Sequence, residues 1–473
     1  MKAKFYILIA ATVVLSAGCE KFLNENLKGG YSSENYYTSA SKAEMAVNAI
    51  YNSLYGNTLW MFGDVASDDS VKGGDDGDQP QINEINDFTA SADNGSLGSF
   101  WQDCYETIAR ANNAIANIAP MTLDDALKAR LVAEAKFLRA YTYFNLVNIF
   151  GQVPLKTQPQ NTAAAIHVGL SPVADIYGQI DQDLTDAAAG LTDVKDGHAN
   201  RAAAYALLAK SKVFQGKWDD AVTAINGFKT VNATAGYDLE PNYADLFQVG
   251  GEDSIEAIFA IRYATNKIAS VGNNLNVWFA PFSEGGYHFN APTQSYVDCF
   301  TEQTVGGDDD PRLDASIGRD GKPWFNGTTF DANWSSTGYL VKKYDEDEVE
   351  DMAKSQSAIP QHRIRYAEVL LLEAEALNEA SAANTANAAA ALDQVRGRAG
   401  LAPTDATTQA ALRDAIRLER RRELGFEFHR FFDVMRYGQA YAVAALGAAA
   451  WPADRYYFPI PQGETDANTA LKK

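Results

Sequence analysis

Ile364-Arg365-Tyr366-Ala367-Glu368-Val369-Leu370-Leu371-Leu372-Glu373-Ala374-Glu375-Ala376 is the stretch whose reading decides the fold. Apolar residues recur at three- and four-residue steps through Ala367, Leu371, Ala374 and Leu377, the spacing that lines one face of a helix. After a short break the chain offers a matching face through Ala391, Leu392 and Val395, so residues 364–398 read as two antiparallel helices with small residues where they cross.

The same plan occurs earlier. Ala203, Ala206, Leu207 and Lys210 run to Phe214, Gly216 breaks the helix, and Trp218, Ala221 and Ile225 begin another. Such a helix, turn and helix resembles a tetratricopeptide unit, and one unit cannot bury its own apolar face. Several in one chain therefore predict stacking, although no strict period runs along the sequence. Further helices are expected over Ser41–Tyr55, Ser96–Ile118 and Leu123–Phe150. The last has one apolar stripe in its first half and more than one in its second, through Phe137, Tyr141, Phe144, Val147 and Phe150, so it needs neighbours on both sides. Between Gly236 and Pro360 the pattern changes to Gly, Asp, Asn and aromatic residues with short β-like runs such as Ile255–Tyr263. The expected fold is mostly α: stacked tetratricopeptide-like helical hairpins with a loop-rich, partly β irregular insertion. Loops held on such a scaffold are the usual place for ligand contacts.

Composition narrows the function classes. A chain of 473 residues, 46% hydrophobic and 21% charged, can bury a large core and is neither wholly disordered nor a multi-pass membrane protein. Its formal charge of −21 would repel a phosphate backbone, which excludes nucleic acid as a partner. The five histidines stand apart, with no HExxH pair, and no GxSxG elbow or phosphate-binding glycine loop occurs, so no catalytic residue, metal ligand or cofactor is assigned. Asp68-Asp69 and Asp75-Asp76-Gly77-Asp78 do not fit an EF-hand loop and read as a solvated acidic loop. Arg413, Arg417 and Arg421 form one helical row with Glu419, Glu423 and Glu427 beside it, which reads as a structural charge network.

The N-terminus has the grammar of an export signal. Lys2 and Lys4 precede the apolar run Phe5–Leu15, and Leu15-Ser16-Ala17-Gly18-Cys19 closes it as a lipobox, so residues 1–18 are expected to be cleaved and Cys19 acylated. Two or more acyl chains hold a protein stably at a membrane. Cys104 and Cys299 then remain, and both read as buried free thiols in helices.

Four blocks in order, Ile364–Ala376, Val395–Leu401, Glu419–Glu427 and His429–Arg436, resemble the signature of the SusD/RagB family. Upstream, Cys19–Leu23, Phe100-Trp101 with Ala111-Asn112-Asn113, Phe137–Ala140, Val153–Leu155 and Asp309–Arg312 extend the resemblance, and Phe458-Pro459-Ile460-Pro461 closes it. The resemblance implies one SusD-like domain over 19–473, with a helical scaffold at about 39–235 and 360–440 and a loop-rich ligand-binding region at about 236–359. It also implies a function without bond breaking: a lipoprotein on the outer face of the outer membrane that captures an oligosaccharide and delivers it to a SusC-like TonB-dependent transporter.

An aromatic ring stacks on the apolar face of a sugar while Asp, Asn and Arg bond its hydroxyls. The family builds its ligand platform from the segment after the first long helix and from the irregular middle. The matching positions here are Trp60, Asp64 and Asp68, then Trp278, Tyr287 and Trp324, while Trp101, Trp218 and Trp451 read as structural. Two rivals stand beside this reading: a peptide-binding member of the family, and a secreted glycoside hydrolase on a helical scaffold.

Overall fold

The computed structural model describes residues 36–55, 58–264, 271–349, 352–452 and 455–471; Cys19 and the leader before it lie outside them. Among the described residues, nine helices of at least 13 residues carry the scaffold. They are α1 (Ala40–Asn52), α2 (Gly95–Ile118), α3 (Asp125–Phe150), α4 (Val173–Gly190), α5 (Arg201–Phe214), α6 (Trp218–Ala235), α7 (Tyr366–Ala380), α8 (Thr385–Arg398) and α9 (Gln409–Glu423). Their starts are set locally: the side chains of Ser39, Asn94, Asp124, Asn200 and Thr408 accept backbone N–H groups that the first turns of α1, α2, α3, α5 and α9 leave unpaired.

From α2 to α7, each helix packs on the next, and α7 is covered in turn by α8 and α9. The hairpin reading is thus borne out, with one element the sequence reading had passed over: α4 lies between α3 and α5. Helix α3 is buried almost continuously from Leu131 to Phe150 because α2 and α4 cover it from two sides. Backbones come close where small residues meet; a Cβ on Gly227 of α6 would sit 2.5 Å from the Tyr205 ring of α5.

Helix α7 joins two cores. Ala367, Leu371 and Ala374 pack with Ala391, Leu392 and Val395 of α8 and Leu412 and Ile416 of α9. Leu372 and Ala376, on its other side, join Ala209 and Val213 of α5 and Ala221 and Ile225 of α6. The chain therefore leaves the stack after Ala235 and re-enters it against the same edge at Tyr366.

The re-entry is a strand. β2 (Ala257–Ile261) pairs antiparallel with β6 (Gln361–Arg365), Ala257 opposite Arg365 and Ile261 opposite Gln361. Helix α7 thus begins at Tyr366 and not at Ile364, because Ile364 and Arg365 belong to the ladder. Two more antiparallel pairs complete the insertion: β1 (Ser70–Gly73) with β3 (Phe289–Pro292), and β4 (Ile317–Gly318) with β5 (Leu340–Val341).

Insertion and scaffold are tied by buried charge. Arg365 reaches Glu256 at 2.6 Å, Glu423 at 2.5 Å and Glu427 at 2.7 Å, while Arg312 reaches Asp310, Glu419 and Glu423. The guanidinium and carboxylate groups of both clusters are almost wholly buried. The expected network exists, but its partners lie across the fold instead of along one helix. Arg421 bonds Asp69, Arg413 bonds Glu379, and Arg417 lies over the Tyr437 ring. The solvated reading of Asp68-Asp69 is corrected by the same contacts, since Asp69 is buried against Arg421 and Asp68 is gripped by Arg430. Cys104 lies in α2 as expected, whereas Cys299 sits in a turn after the short helix Gln294–Val297; both are buried.

Candidate ligand-binding site

A loop that closes on itself builds the site. After the short helix Leu275–Phe279 the chain turns through Pro281–Glu284, and the N–H of Gly286 returns to the carbonyl of Pro281. The N–H of Tyr287 then donates to the Val277 carbonyl at 2.8 Å and that of His288 to the Ala280 carbonyl at 3.0 Å. This closure demands glycine: a Cβ on Gly286 would lie 2.1 Å from the Ala280 carbonyl oxygen. The result is a rigid projection that holds Tyr287 48% exposed just before β3 begins.

Behind Tyr287 stands a column of aromatic rings. Tyr287 meets Trp278 edge-on at 5.7 Å, Trp278 meets Phe289 at 5.1 Å and Trp60 at 5.8 Å, and Trp60 meets Phe279 at 5.4 Å. Edge-to-face and tilted pairs of this kind are favourable beyond the area they bury. The column fixes the outermost ring without spending its free face.

Tyr287 borders a cleft of about 820 Å³ whose other wall is formed by residues 346–349 and 352–355. Its rim is charged. Lys354 donates to Glu284 at 2.9 Å and contacts Asp345 at 2.5 Å, and Glu346, Asp347 and Glu348 follow along the wall. A larger groove of about 1480 Å³ runs between α2 and residues 461–468. Its aromatic rings are already engaged: Trp101 is buried, and Tyr105 is held by Trp101 at 4.9 Å, by the Lys156 ammonium at 5.1 Å and by a hydrogen bond to the Pro154 carbonyl. The Tyr287 cleft is the one of the two that offers a ring face to a ligand.

The six residues singled out from the sequence are distributed unevenly over this site. Trp60, Trp278 and Tyr287 share the column, with Trp60 only 1% exposed at its inner end and Trp278 half-buried. Trp324 is buried in a satellite cluster with Phe330 and Leu340, yet its indole N–H donates to Glu284 at 2.9 Å and so braces the rim. Asp64 lies beneath, accepting from the Phe428 N–H at 3.0 Å and from Asn290 at 3.1 Å; burial pushes its carboxyl up to about 8. Asp68 takes a two-pronged bond from Arg430 at 2.7 and 2.8 Å; burial raises its carboxyl, but Arg430 and Arg421 outweigh it and hold it below the usual range. Asn276, Glu284, Glu346 and Lys354 were not singled out. The Pro281…Gly285-Gly286-Tyr287 pattern could have flagged the loop tip, but nothing local marks Asn276 or Lys354.

A model described as the SusD family matches residues 255–446, and one described as starch-binding associating with outer membrane matches residues 21–212. The SusD-like protein P2 of Formosa agariphila is 28% identical over 476 residues, covering 92% of this chain and 90% of its own length. Among solved structures, a laminarin-binding SusD-like protein superposes with a TM-score of 0.77 at 29% identity, over 90% of this chain and 97% of that one. A SusD-like carbohydrate-binding protein of Bacteroides fragilis superposes with a TM-score of 0.78 at 26% identity, over 92% of this chain and 100% of that one.

Proposed function

Since the chain belongs to the SusD family, we propose that it is a carbohydrate-binding protein of the outer membrane, which captures oligosaccharides in the Tyr287 cleft and passes them on chemically unchanged. The observation that carries this reading is the exposed Tyr287 ring, fixed by the column behind it, beside a cleft walled with carboxylates and the Asn276 amide. A sugar presents a C–H face to such a ring and hydroxyls to such a wall. The loop closure and the Trp278 edge hold the ring in place before ligand arrives, so little ordering entropy opposes binding.

Delivery completes the proposal. Cys19 carries the lipid that holds the protein on the outer face of the membrane, and a SusC-like TonB-dependent transporter receives the ligand. Laminarin binding by the relative at 29% identity supports the capture step, and the outer-membrane description of the matched N-terminal family supports the association with that membrane.

Affinity electrophoresis in native gels cast with a panel of polysaccharides tests the binding step. At least one polysaccharide retards the wild-type protein, and Tyr287→Ala removes the retardation without changing the melting temperature; migration unaffected by every polysaccharide refutes the reading. Reducing-sugar assays on the same panel show no release, and turnover that depends on a cleft carboxylate would favour a hydrolase. Radiolabelled palmitate enters the wild-type protein but not Cys19→Ser, and the transporter copurifies from detergent-solubilised outer membranes.

A further inference from the structure

We infer that the Tyr287 cleft selects uncharged sugars over polyanionic ones, with the Asn276 amide as the buried group that reads a ligand hydroxyl. This inference rests on the reading of the cleft as a carbohydrate site and names the class of carbohydrate it takes.

Asn276 lines the cleft and is 1% exposed, yet among the described residues neither its Nδ2 nor its Oδ1 has a hydrogen-bond partner. Buried side-chain amides are nearly always paired, because an amide taken out of water keeps the full cost of its lost hydrogen bonds. A lone donor and a lone acceptor side by side suit a group that is itself both, and a sugar hydroxyl is such a group. A carboxylate or sulfate oxygen only accepts, so it would satisfy Nδ2 and oppose Oδ1.

The rim makes the same choice by charge. Among the described residues of the cleft, Glu284, Glu346, Asp347 and Glu348 stand against the single ammonium of Lys354. That ammonium is already spent on Glu284 and on the buried carboxyl of Asp345, so it has no positive charge to offer an incoming anion. Hydroxyls can donate to these carboxylates, whereas a uronate or sulfate meets uncompensated negative charge at close range, where Coulomb repulsion is least screened.

Calorimetry on the full-length mature protein tests both halves. The probes are hexasaccharides of neutral sugars (gluco-, manno-, galacto- and xylo-oligosaccharides) and of galacturonate, measured at about 10 mM and about 1 M salt, where the Debye length falls from roughly 30 Å to 3 Å. A neutral ligand binds at least about tenfold tighter than the galacturonate at low salt, and the ratio narrows at high salt as the repulsion is screened. Glu348→Lys, at an exposed position, narrows the ratio at low salt by about threefold or more. Asn276→Ala weakens the neutral ligand by about tenfold at unchanged melting temperature.

Tighter binding of galacturonate, abolished by Tyr287→Ala, would overturn the selectivity while leaving the cleft a carbohydrate site. Wild-type affinity in a folded Asn276→Ala would overturn the role of the amide. No binding of any sugar, or Tyr287-dependent binding of a Lys-rich peptide instead, would overturn both the inference and the reading beneath it.

Discussion

Replacing Arg365 by Met tests how the loop-rich insertion is fastened to the scaffold. Its guanidinium makes five hydrogen bonds, to Glu256, to Glu427 twice, and to the side chain and carbonyl of Glu423, at 2.5 to 2.9 Å. Met fills much of the volume but leaves three buried carboxylates short of a cation, with Arg398, Arg312 and Lys343 as the remaining counter-charges. Breaking a buried pair by removing one partner costs about 3–5 kcal/mol. Unfolding entropy near 2.1 cal/mol/K per residue over 473 residues amounts to about 1 kcal/mol/K, so the expected fall in Tm is about 4 °C.

The sign of the pH dependence is diagnostic. Burial pushes Glu423 and Glu427 up, but the surrounding cations, Arg398 and Arg365 foremost, outweigh it and hold both below the usual carboxylate range. Depressed carboxyls stabilise the fold above their unfolded value and lose that contribution as pH falls through the folded one. Without Arg365 they rise, the variant takes up protons at a higher pH than the wild type does, and the Tm gap shrinks by up to about 1 °C per pH unit as pH falls from 7 toward the ordinary carboxylate value of 4.5. Arg365→Lys, which keeps the charge and loses the fork, falls between the two. Differential scanning calorimetry across this range is the assay. A loss below about 1 °C at pH 7, or a gap that stays constant down to pH 5, would refute the reasoning.

Three further outcomes are expected. Tyr287→Ala should weaken neutral oligosaccharides by about 60-fold, since covering one face of the half-exposed ring and the matching sugar face removes about 100 Å² of apolar surface, or about 2.5 kcal/mol; a loss under threefold in titration calorimetry would remove Tyr287 from the site. Gly286→Ala should lower ligand affinity at least as much while leaving the helical circular dichroism intact, because only the loop closure meets the new Cβ; wild-type affinity would contradict the closure argument. Cys104 and Cys299, both buried and with thiols that burial pushes up, to about 12 for Cys299, should ignore a thiol reagent at pH 8 in the folded protein and react fully in denaturant; rapid native labelling would mean local opening of α2 or of the Cys299 turn.

Much of the scaffold was legible because its information is local. Ala367, Leu371, Ala374, Ala391, Leu392 and Val395 were read as facing partners and occupy one core. The two-sided burial of α3 followed from its apolar residues around the whole circumference. What misled was the junction: Ile364 and Arg365 continue the apolar and charged rhythm of α7, yet a strand more than a hundred residues earlier claims them. The site was less legible. Trp60, Trp278 and Trp324 are chemically alike, but their burial ranges from sealed to half-open. Asp64 and Asp68 look alike in sequence; one accepts neutral donors under the column and the other is clamped by Arg430.

The order of residues alone determined that this chain folds as helical hairpins, because helix periodicity is written within a few turns of chain. Only the tertiary structure decided which ring reaches solvent, which amide is left without a partner and which carboxylate meets which guanidinium. Each of those properties is set by what arrives from elsewhere in the chain: Trp60 is sealed by Trp278 and Phe279, and Lys354 is neutralised by Glu284 and Asp345. Burial and pairing are relations between distant segments, and no local pattern encodes them.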